Sequence, residues 1–183
     1  MKHKVVLLGF PGAGKSTVGA ALRDVYGWMW VDVDAEIERT VGCSIAQLIR
    51  EEGEEHFRKL EKQAVKNAIE GEASVVSLGG GALLDPESRK LVEDCVTVHL
   101  SVSAEEAARR VEHDERLAVA RGETEQRPLL SGRQSEGTTL DRVKSLMEKR
   151  RGVYEVARHT ISVENASPNE IASEIVSIVS LYP

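Results

Sequence analysis

The chain has 183 residues, of which 41% are hydrophobic and 30% charged, the composition of an ordinary globular protein. Its formal net charge is −6, from 24 Lys and Arg against 30 Asp and Glu, which argues against a nucleic-acid binder because such proteins need a basic face. The length suits a single domain over residues 1–183, and no apolar run approaches the roughly 20 residues needed to cross a bilayer. We therefore expect a cytoplasmic protein that binds neither nucleic acid nor membrane.

The first motif in the chain is a glycine-rich stretch over residues 9–16, GFPGAGKS, which matches G-x-x-x-x-G-K-[ST]. The apolar run before it predicts a buried strand over residues 4–8, and the spacing after it predicts a helix over 16–26. Strand, loop and helix in this order favour a phosphate-binding loop, in which backbone N–H groups face an anion at the start of a helix. Lys15 can then reach the β and γ phosphates, and the Ser16 hydroxyl can bind Mg²⁺.

Two aspartates mark the end of the second predicted strand, residues 30–33. Asp32 and Asp34 stand where ligands of open α/β sheets bind, and strand alternation would point both side chains to the same side. Beside a phosphate-binding loop, one carboxylate could support Mg²⁺ while the other accepts the proton of a substrate hydroxyl. The alternative is a solvated strand end at which Asp34 caps the following helix, residues 35–41.

An arginine and a glutamate are spaced three apart on a helix predicted over residues 54–69, which follows a shorter helix capped by Ser44. Pairing of Arg58 with Glu61 could fix the guanidinium and leave one of its edges free for an anion. An exposed surface ion pair explains the same spacing equally well.

Three consecutive glycines, Gly79, Gly80 and Gly81, follow the third predicted strand, residues 74–78. They would lie at the ligand edge of a parallel sheet, where a backbone without side chains can approach a small molecule closely. A mobile connection is the alternative, because glycine clusters mark loops in general.

The second half of the chain has further strands and helices around a long irregular segment. Helices are predicted from Asp85-Pro86, over 103–112, over 140–156 and after Ser167-Pro168, and strands over 95–100 and 160–163. Residues 113–138 lack periodicity but contain arginines, which favours a closing lid, with Arg127 arriving with the nucleotide. Arg150 and Arg151 lie late in the long helix, where basic residues also simply favour the helix dipole. Strands alternating with helices predict an α/β three-layer sandwich with a five-stranded parallel sheet.

Taken in this order, the motifs GFPGAGKST, VDVD, GEEHFRKLE, LGGGA, RPLL and R-x-x-x-Y-E-V-A resemble those of the shikimate kinases over essentially the whole chain. Members of that family transfer the γ-phosphoryl group of ATP to the 3-hydroxyl of shikimate. The resemblance implies a P-loop NTPase fold, with a shikimate-binding helical region at about 34–61 and a mobile lid at about 113–137. It also implies a monomer that uses ATP and Mg²⁺.

The same resemblance implies roles for individual residues. The ATP site would comprise Gly12, Ala13, Gly14, Lys15, Ser16, Thr17, Arg121, Arg127 and Pro168, and the metal site Ser16 and Asp32. The shikimate site would comprise Asp34, Arg58, Gly79, Gly80, Gly81 and Arg150, and the catalytic residues would be Asp34, Lys15 and Arg127. Ile49 stands where many members of the family have an aromatic residue against the substrate ring.

Two other classes of protein share part of this pattern. Another small-molecule P-loop kinase, such as a gluconate kinase, would have the same fold but a different acceptor, and the two-arginine carboxylate site together with the three glycines is the feature that separates the two. A nucleotide-dependent switch protein would bind ATP or GTP without phosphorylating a metabolite. The segment Asn/Thr-Lys-x-Asp that guanine-binding proteins usually carry is missing from the sequence.

Overall fold

The computed structural model describes residues 3–120 and 137–182. Their centre is a sheet of five strands in the order β2-β3-β1-β4-β5, and every neighbouring pair is parallel. The strands are β1 (Val5–Gly9), β2 (Trp30–Asp32), β3 (Val75–Ser77), β4 (Val96–Ser101) and β5 (His159–Ser162). This sheet confirms the predicted α/β architecture.

Helices cover both faces of the sheet. They are α1 (Lys15–Tyr26), α2 (Val33–Val41), α3 (Ile45–Glu52), α4 (Glu54–Glu70), α5 (Pro86–Leu91), α6 (Ala104–Ala120), α7 (Thr139–Tyr154) and α8 (Pro168–Val179), with a short 3₁₀ turn at Ala82–Leu84. None of the helices in the described ranges is long and apolar enough to cross a membrane.

The central strand β1 separates two hydrophobic cores. Val6 and Leu8 point into one core with residues of α2, α3 and α4, whereas Val5 and Leu7 point into the other with residues of α1 and α8. All four side chains are buried, as expected for a parallel strand covered on both faces. The layers therefore fix the carboxyl end of β1, and with it the loop that follows.

The side chain of Trp30, on β2, packs between the sheet and helix α1. Its indole N–H donates a hydrogen bond of 2.9 Å to the hydroxyl of Ser77, and its ring lies against Gly19 of α1. A Cβ atom at Gly19 would overlap the ring, so this contact requires a glycine. The guanidinium of Arg23 lies 5.8 Å from the ring centre.

Helix α6 differs from the sequence prediction. It runs to Ala120, so the prediction of irregular structure from residue 113 was wrong for residues 113–120. Its buried positions include Ala107, Val111 and Ala118, and the charged residues between them obscured this spacing. Residues 121–136 of the predicted lid lie outside the described residues.

Candidate active site

The glycine-rich loop connects β1 to α1, as predicted. Gly12 and Gly14 have φ angles of 86° and 84°, in the left-handed region that residues with a Cβ rarely adopt. Lys15 begins the helix, and its ammonium group donates a hydrogen bond of 2.8 Å to the carbonyl of Gly9. The loop therefore presents a lysine and a helix N-terminus at the carboxyl edge of the sheet.

Asp32 links this loop to the next helix. One of its carboxylate oxygens accepts a hydrogen bond of 2.7 Å from the Ser16 hydroxyl. The other accepts the backbone N–H groups of Asp34 and Ala35, which makes Asp32 the N-cap of α2. Strand β2 thus ends at Asp32, and the predicted strand alternation of the two aspartates and the cap at Asp34 were both wrong.

Asp34 lies in the first turn of α2 and faces the same cavity as Lys15. Burial raises the pKa of its carboxyl group to about 6. The charge of Lys15 opposes this rise, whereas the nearby carboxylates of Asp32, Glu61 and Glu38 add to it. A carboxyl group with such a pKa can exchange a proton near neutral pH.

The three glycines after β3 make room for three side chains. A Cβ atom at Gly79 would lie 2.7 Å from a carboxylate oxygen of Asp34, and one at Gly81 would lie 2.7 Å from the Arg58 guanidinium. A Cβ atom at Gly80 would overlap the Arg150 guanidinium. These glycines have no positive φ, so close approach, and not backbone conformation, requires them.

Arg58 on α4 is held by two carboxylates. It forms hydrogen bonds of 2.6 Å to Glu61 and 2.9 Å to Glu54, so the predicted pairing with Glu61 is present. Glu61 is only 5% exposed, which distinguishes this pair from a surface ion pair. Burial works to lower the pKa of Arg58, but the two carboxylates raise it overall. The guanidinium therefore stays charged at the cavity wall.

Arg150 approaches the same wall from α7. The residue is only 7% exposed, and its guanidinium packs against Gly80. The alternative explanation for Arg150, a solvated basic residue near a helix C-terminus, does not fit this burial. Arg58 and Arg150 therefore both lie against the glycine turn, at Gly81 and Gly80.

One cavity of about 830 Å³ joins these groups. It is lined by residues of the glycine-rich loop, of α2 to α4, of the glycine turn and of α6 and α7. The sequence-predicted residues that line it are Gly12, Gly14, Lys15, Ser16, Thr17, Asp32, Asp34, Arg58, Gly79, Gly80, Gly81 and Arg150.

Four predicted residues are absent from the described lining of this cavity. The Ala13 side chain is buried in the core, so only its backbone could face a ligand. Pro168 is the first residue of α8, outside the lining of this cavity. Arg121 and Arg127 lie outside the described residues.

Arg110 of α6, for which no role was predicted, lines the cavity beside the glycine-rich loop. Its guanidinium donates a hydrogen bond of 3.1 Å to the carbonyl of Gly12 and another of 2.6 Å to Glu106. The hydrogen bonds from Arg109 and Arg110 lower the pKa of Glu106 to about 2. The four-residue spacing of Glu106 and Arg110 was the available signal, but it marks many surface pairs as well.

A phosphate-binding loop, a hydroxyl–carboxylate pair suited to Mg²⁺ and a facing pocket with a basic wall together define a P-loop kinase of small molecules. The chain belongs to the shikimate kinase family, whose model matches residues 11–180.

Relatives support this assignment over nearly the whole chain. The shikimate kinase of Rhodococcus erythropolis is 37% identical over 97% of this chain and 97% of its own length. That of Salinispora tropica is 40% identical over 95% and 96%. Among solved structures, shikimate kinase from Acinetobacter baumannii in complex with shikimate has a TM-score of 0.84 and 29% identity, covering 98% of this chain and 93% of that one. Shikimate kinase from Aquifex aeolicus has a TM-score of 0.76 and 31% identity, covering 97% and 96%.

Proposed function

We propose that this protein transfers the γ-phosphoryl group of ATP to the 3-hydroxyl of shikimate, giving 3-phosphoshikimate. The observation that carries the proposal is the single cavity, in which a phosphate-binding loop faces one raised-pKa carboxyl group and two arginines. Family membership and the shikimate bound by a structural relative support the same acceptor.

The donor half of the site is the glycine-rich loop. Gly12, Gly14 and Thr17 line the space for the phosphates, with the backbone of Ala13 between the two glycines. Lys15 lines the same space and would neutralise part of the phosphate charge. Exchange of the Lys15 hydrogen bond to the Gly9 carbonyl for one to a phosphate oxygen would bring the ammonium charge onto the nucleotide.

The oxygen atoms of Ser16 and Asp32 fit Mg²⁺, which takes oxygen ligands and is usually held by few protein groups together with phosphates. When bound, the ion would neutralise negative charge on the phosphates during transfer. Asp32 would support it while its second oxygen continues to cap α2.

The acceptor half of the site suits a hydroxylated carboxylate. Arg58 and Arg150 would bind the carboxylate of shikimate, with the turn at Gly79, Gly80 and Gly81 beneath it. Glu61 keeps Arg58 oriented before the substrate arrives. Because two fixed cations face one anion, the pocket favours an acid over a neutral polyol.

Asp34 would orient the attacking hydroxyl and accept its proton. Its carboxyl group lies between Lys15 and the glycine turn, and burial gives it a pKa of about 6, suited to a base near neutral pH. Lys15 would offset the charge that builds on the phosphoryl oxygens, and we expect Arg127 to join it from the lid.

We further propose that residues 1–183 form one domain that acts as a monomer in the cytoplasm, and that residues 113–137 form the lid. The position of the first two residues of this segment supports the lid assignment, because His113 and Asp114 of α6 line the cavity. From within the lid, Arg121 would contact the adenine, and Pro168 would do so from the start of α8.

ADP formation with and without an acceptor tests the proposed function. The purified protein is given ATP and Mg²⁺ with shikimate, with gluconate, or with neither, and the product is identified by phosphorus NMR. We expect ADP release that depends on shikimate and yields its 3-phosphate. Equal ADP release without an acceptor would indicate a switch or simple ATPase, and dependence on gluconate would indicate a gluconate kinase.

A further inference from the structure

We propose that Tyr154, stacked on His99, is a positioning residue that holds the Arg150 guanidinium in the acceptor pocket. The inference rests on the proposed function, because it assigns to Arg150 the binding of an acceptor carboxylate. It concerns how that arginine is kept in place before the acceptor arrives.

The two rings form a parallel stack between a helix and the sheet. Their centres are 4.6 Å apart and their planes differ by 4°. His99 lies on β4 and pairs with Leu8 of β1, close to the start of the phosphate-binding loop. Tyr154 is the last residue of α7. The stack therefore anchors the end of α7 to the rigid centre of the sheet.

The anchor lies one helical turn from Arg150. Residues four apart on a helix share a face, so Arg150 and Tyr154 project to the same side of α7. Both side chains meet at the glycine turn: a Cβ atom at Gly80 would overlap the Arg150 guanidinium and lie 3.3 Å from the Tyr154 hydroxyl oxygen. Any movement of the tyrosine ring would therefore change the space available to the guanidinium.

Arg150 depends on this packing more than Arg58 does. Two carboxylates fix Arg58 at 2.6 and 2.9 Å, whereas in the described part of the chain no carboxylate forms an ion pair with Arg150. Glu61 interacts with Arg150 only over a longer range. The charge of Arg150 works to lower the pKa of Glu61, against the larger effect of burial, which raises it. The buried guanidinium is thus oriented mainly by the side chains packed around it.

The Tyr154 hydroxyl is suited to this role because it does not neutralise the arginine. It is buried, and no described residue forms a hydrogen bond of ideal geometry with it. Burial raises its pKa, and the positive charge of the adjacent Arg150 guanidinium and a loose hydrogen bond from it partly oppose that rise. A neutral phenol oxygen beside the guanidinium leaves the full positive charge for an incoming carboxylate.

Burial and the charge of Lys15 lower the pKa of His99, so its ring is neutral at physiological pH. A neutral imidazole places no second positive charge next to Arg150. The stack therefore consists of two uncharged rings, which hold the Arg150 side chain in place without competing with it for the carboxylate of the substrate.

Steady-state kinetics of Tyr154→Leu, with shikimate and ATP varied separately, tests the proposal. We expect the KM for shikimate to rise about tenfold, with the KM for ATP and kcat within about twofold of the wild-type values, because binding of the distant carboxylate is lost equally in ground and transition states. Tyr154→Phe keeps the stacked ring and should restore most of the affinity. Tyr26→Leu, at the exposed end of α1, is the matched control and should change neither KM.

His99→Leu and His99→Phe provide a second pair if Tyr154→Leu does not fold. His99→Leu should raise the KM for shikimate, and His99→Phe should restore it by re-forming the stack. An unchanged KM for shikimate in folded Tyr154→Leu or His99→Leu, or an equal rise in both KM values, would overturn the proposal. Failure of the wild-type protein to phosphorylate shikimate would instead overturn the proposed function.

Discussion

Gly80 is a residue whose missing side chain shapes the acceptor pocket. The Arg150 guanidinium occupies the space that a Cβ atom at Gly80 would need. Because a guanidinium ends a flexible side chain, it can move away from a new methyl group at little cost in stability. The same movement would take its charge away from the position that faces the cavity.

We therefore predict that Gly80→Ala raises the KM for shikimate about tenfold or more, with a small change in melting temperature. Gly152→Ala is a matched control on α7, since nothing lies within 4 Å of its Cβ position. Alanine there should stabilise the helix by about 0.5–1 kcal/mol and leave the KM unchanged. A wild-type KM in Gly80→Ala would mean that Arg150 does not bind the carboxylate from its present position.

Asp34 is the residue on which the chemistry depends most directly. Asparagine has the same shape but cannot accept the proton of the shikimate hydroxyl. We predict that Asp34→Asn lowers kcat at least about a hundredfold, at the low end of what a general base contributes. Turnover measured at saturating ATP and shikimate checks this, and a kcat within a few-fold of wild type would remove Asp34 from its proposed role.

At the scale of secondary structure, the start of α2 depends on one carboxylate with two functions. Asp32 caps the helix with one oxygen and accepts the Ser16 hydroxyl with the other. The cap needs only a side-chain oxygen, whereas support of Mg²⁺ benefits from the negative charge. Substitutions can therefore separate the two functions.

We predict that Asp32→Asn keeps the melting temperature of the wild type but requires a higher Mg²⁺ concentration for half-maximal activity. Asp32→Ala should show the same defect and lose a further ~1 kcal/mol of stability, because the cap is gone. Magnesium titrations of activity and thermal unfolding of both variants provide the test. Equal destabilisation of both would contradict the separation.

The start of a helix was predictable wherever the sequence has a capping residue. Ser44, Asp85 and Ser167 cap their helices as the sequence indicated. The end of β2 was missed because Val33 is a good strand residue, and only the hydrogen bonds of Asp32 begin the helix there. Likewise, α6 was cut short because its exposed face is almost entirely charged.

At the scale of the whole molecule, the site was predictable as a set of motifs but not as a set of contacts. The order of strands places the loop after β1 beside the glycines after β3, which the rule for parallel sheets anticipates. The sequence does not show which side chain each of Gly79, Gly80 and Gly81 contacts, because these contacts arise from the packing of three helices. Arg110 was missed for the same reason.

The buried charge at the site also affects global stability. Asp34 has a pKa of about 6 in the folded protein and the ordinary value of 3.8 when unfolded, so the folded state binds its proton more tightly. Stability therefore falls as pH rises between these two values, and the whole cost of the buried charge is present above about pH 6.

We predict that Asp34→Asn, which has no charge to bury, melts on the order of 5 °C above the wild type near pH 8. This difference should shrink near pH 4, where the carboxyl group is protonated in the folded protein. Thermal unfolding of both proteins at the two pH values checks the effect. A difference that does not depend on pH would assign it to something other than the titration of Asp34.

The packing of Trp30 on Gly19 has an optical consequence. The protein contains two tryptophans, and this one lies two residues before Asp32 and against the first turns of α1, which begins beside Ser16. We therefore expect its indole emission to change when a nucleotide binds to the loop, so that binding can be followed without an attached dye. With Trp28 replaced by phenylalanine, Trp30 is the only tryptophan, and selective excitation of tryptophan should follow occupancy of the phosphate-binding loop in real time while the acceptor is withheld.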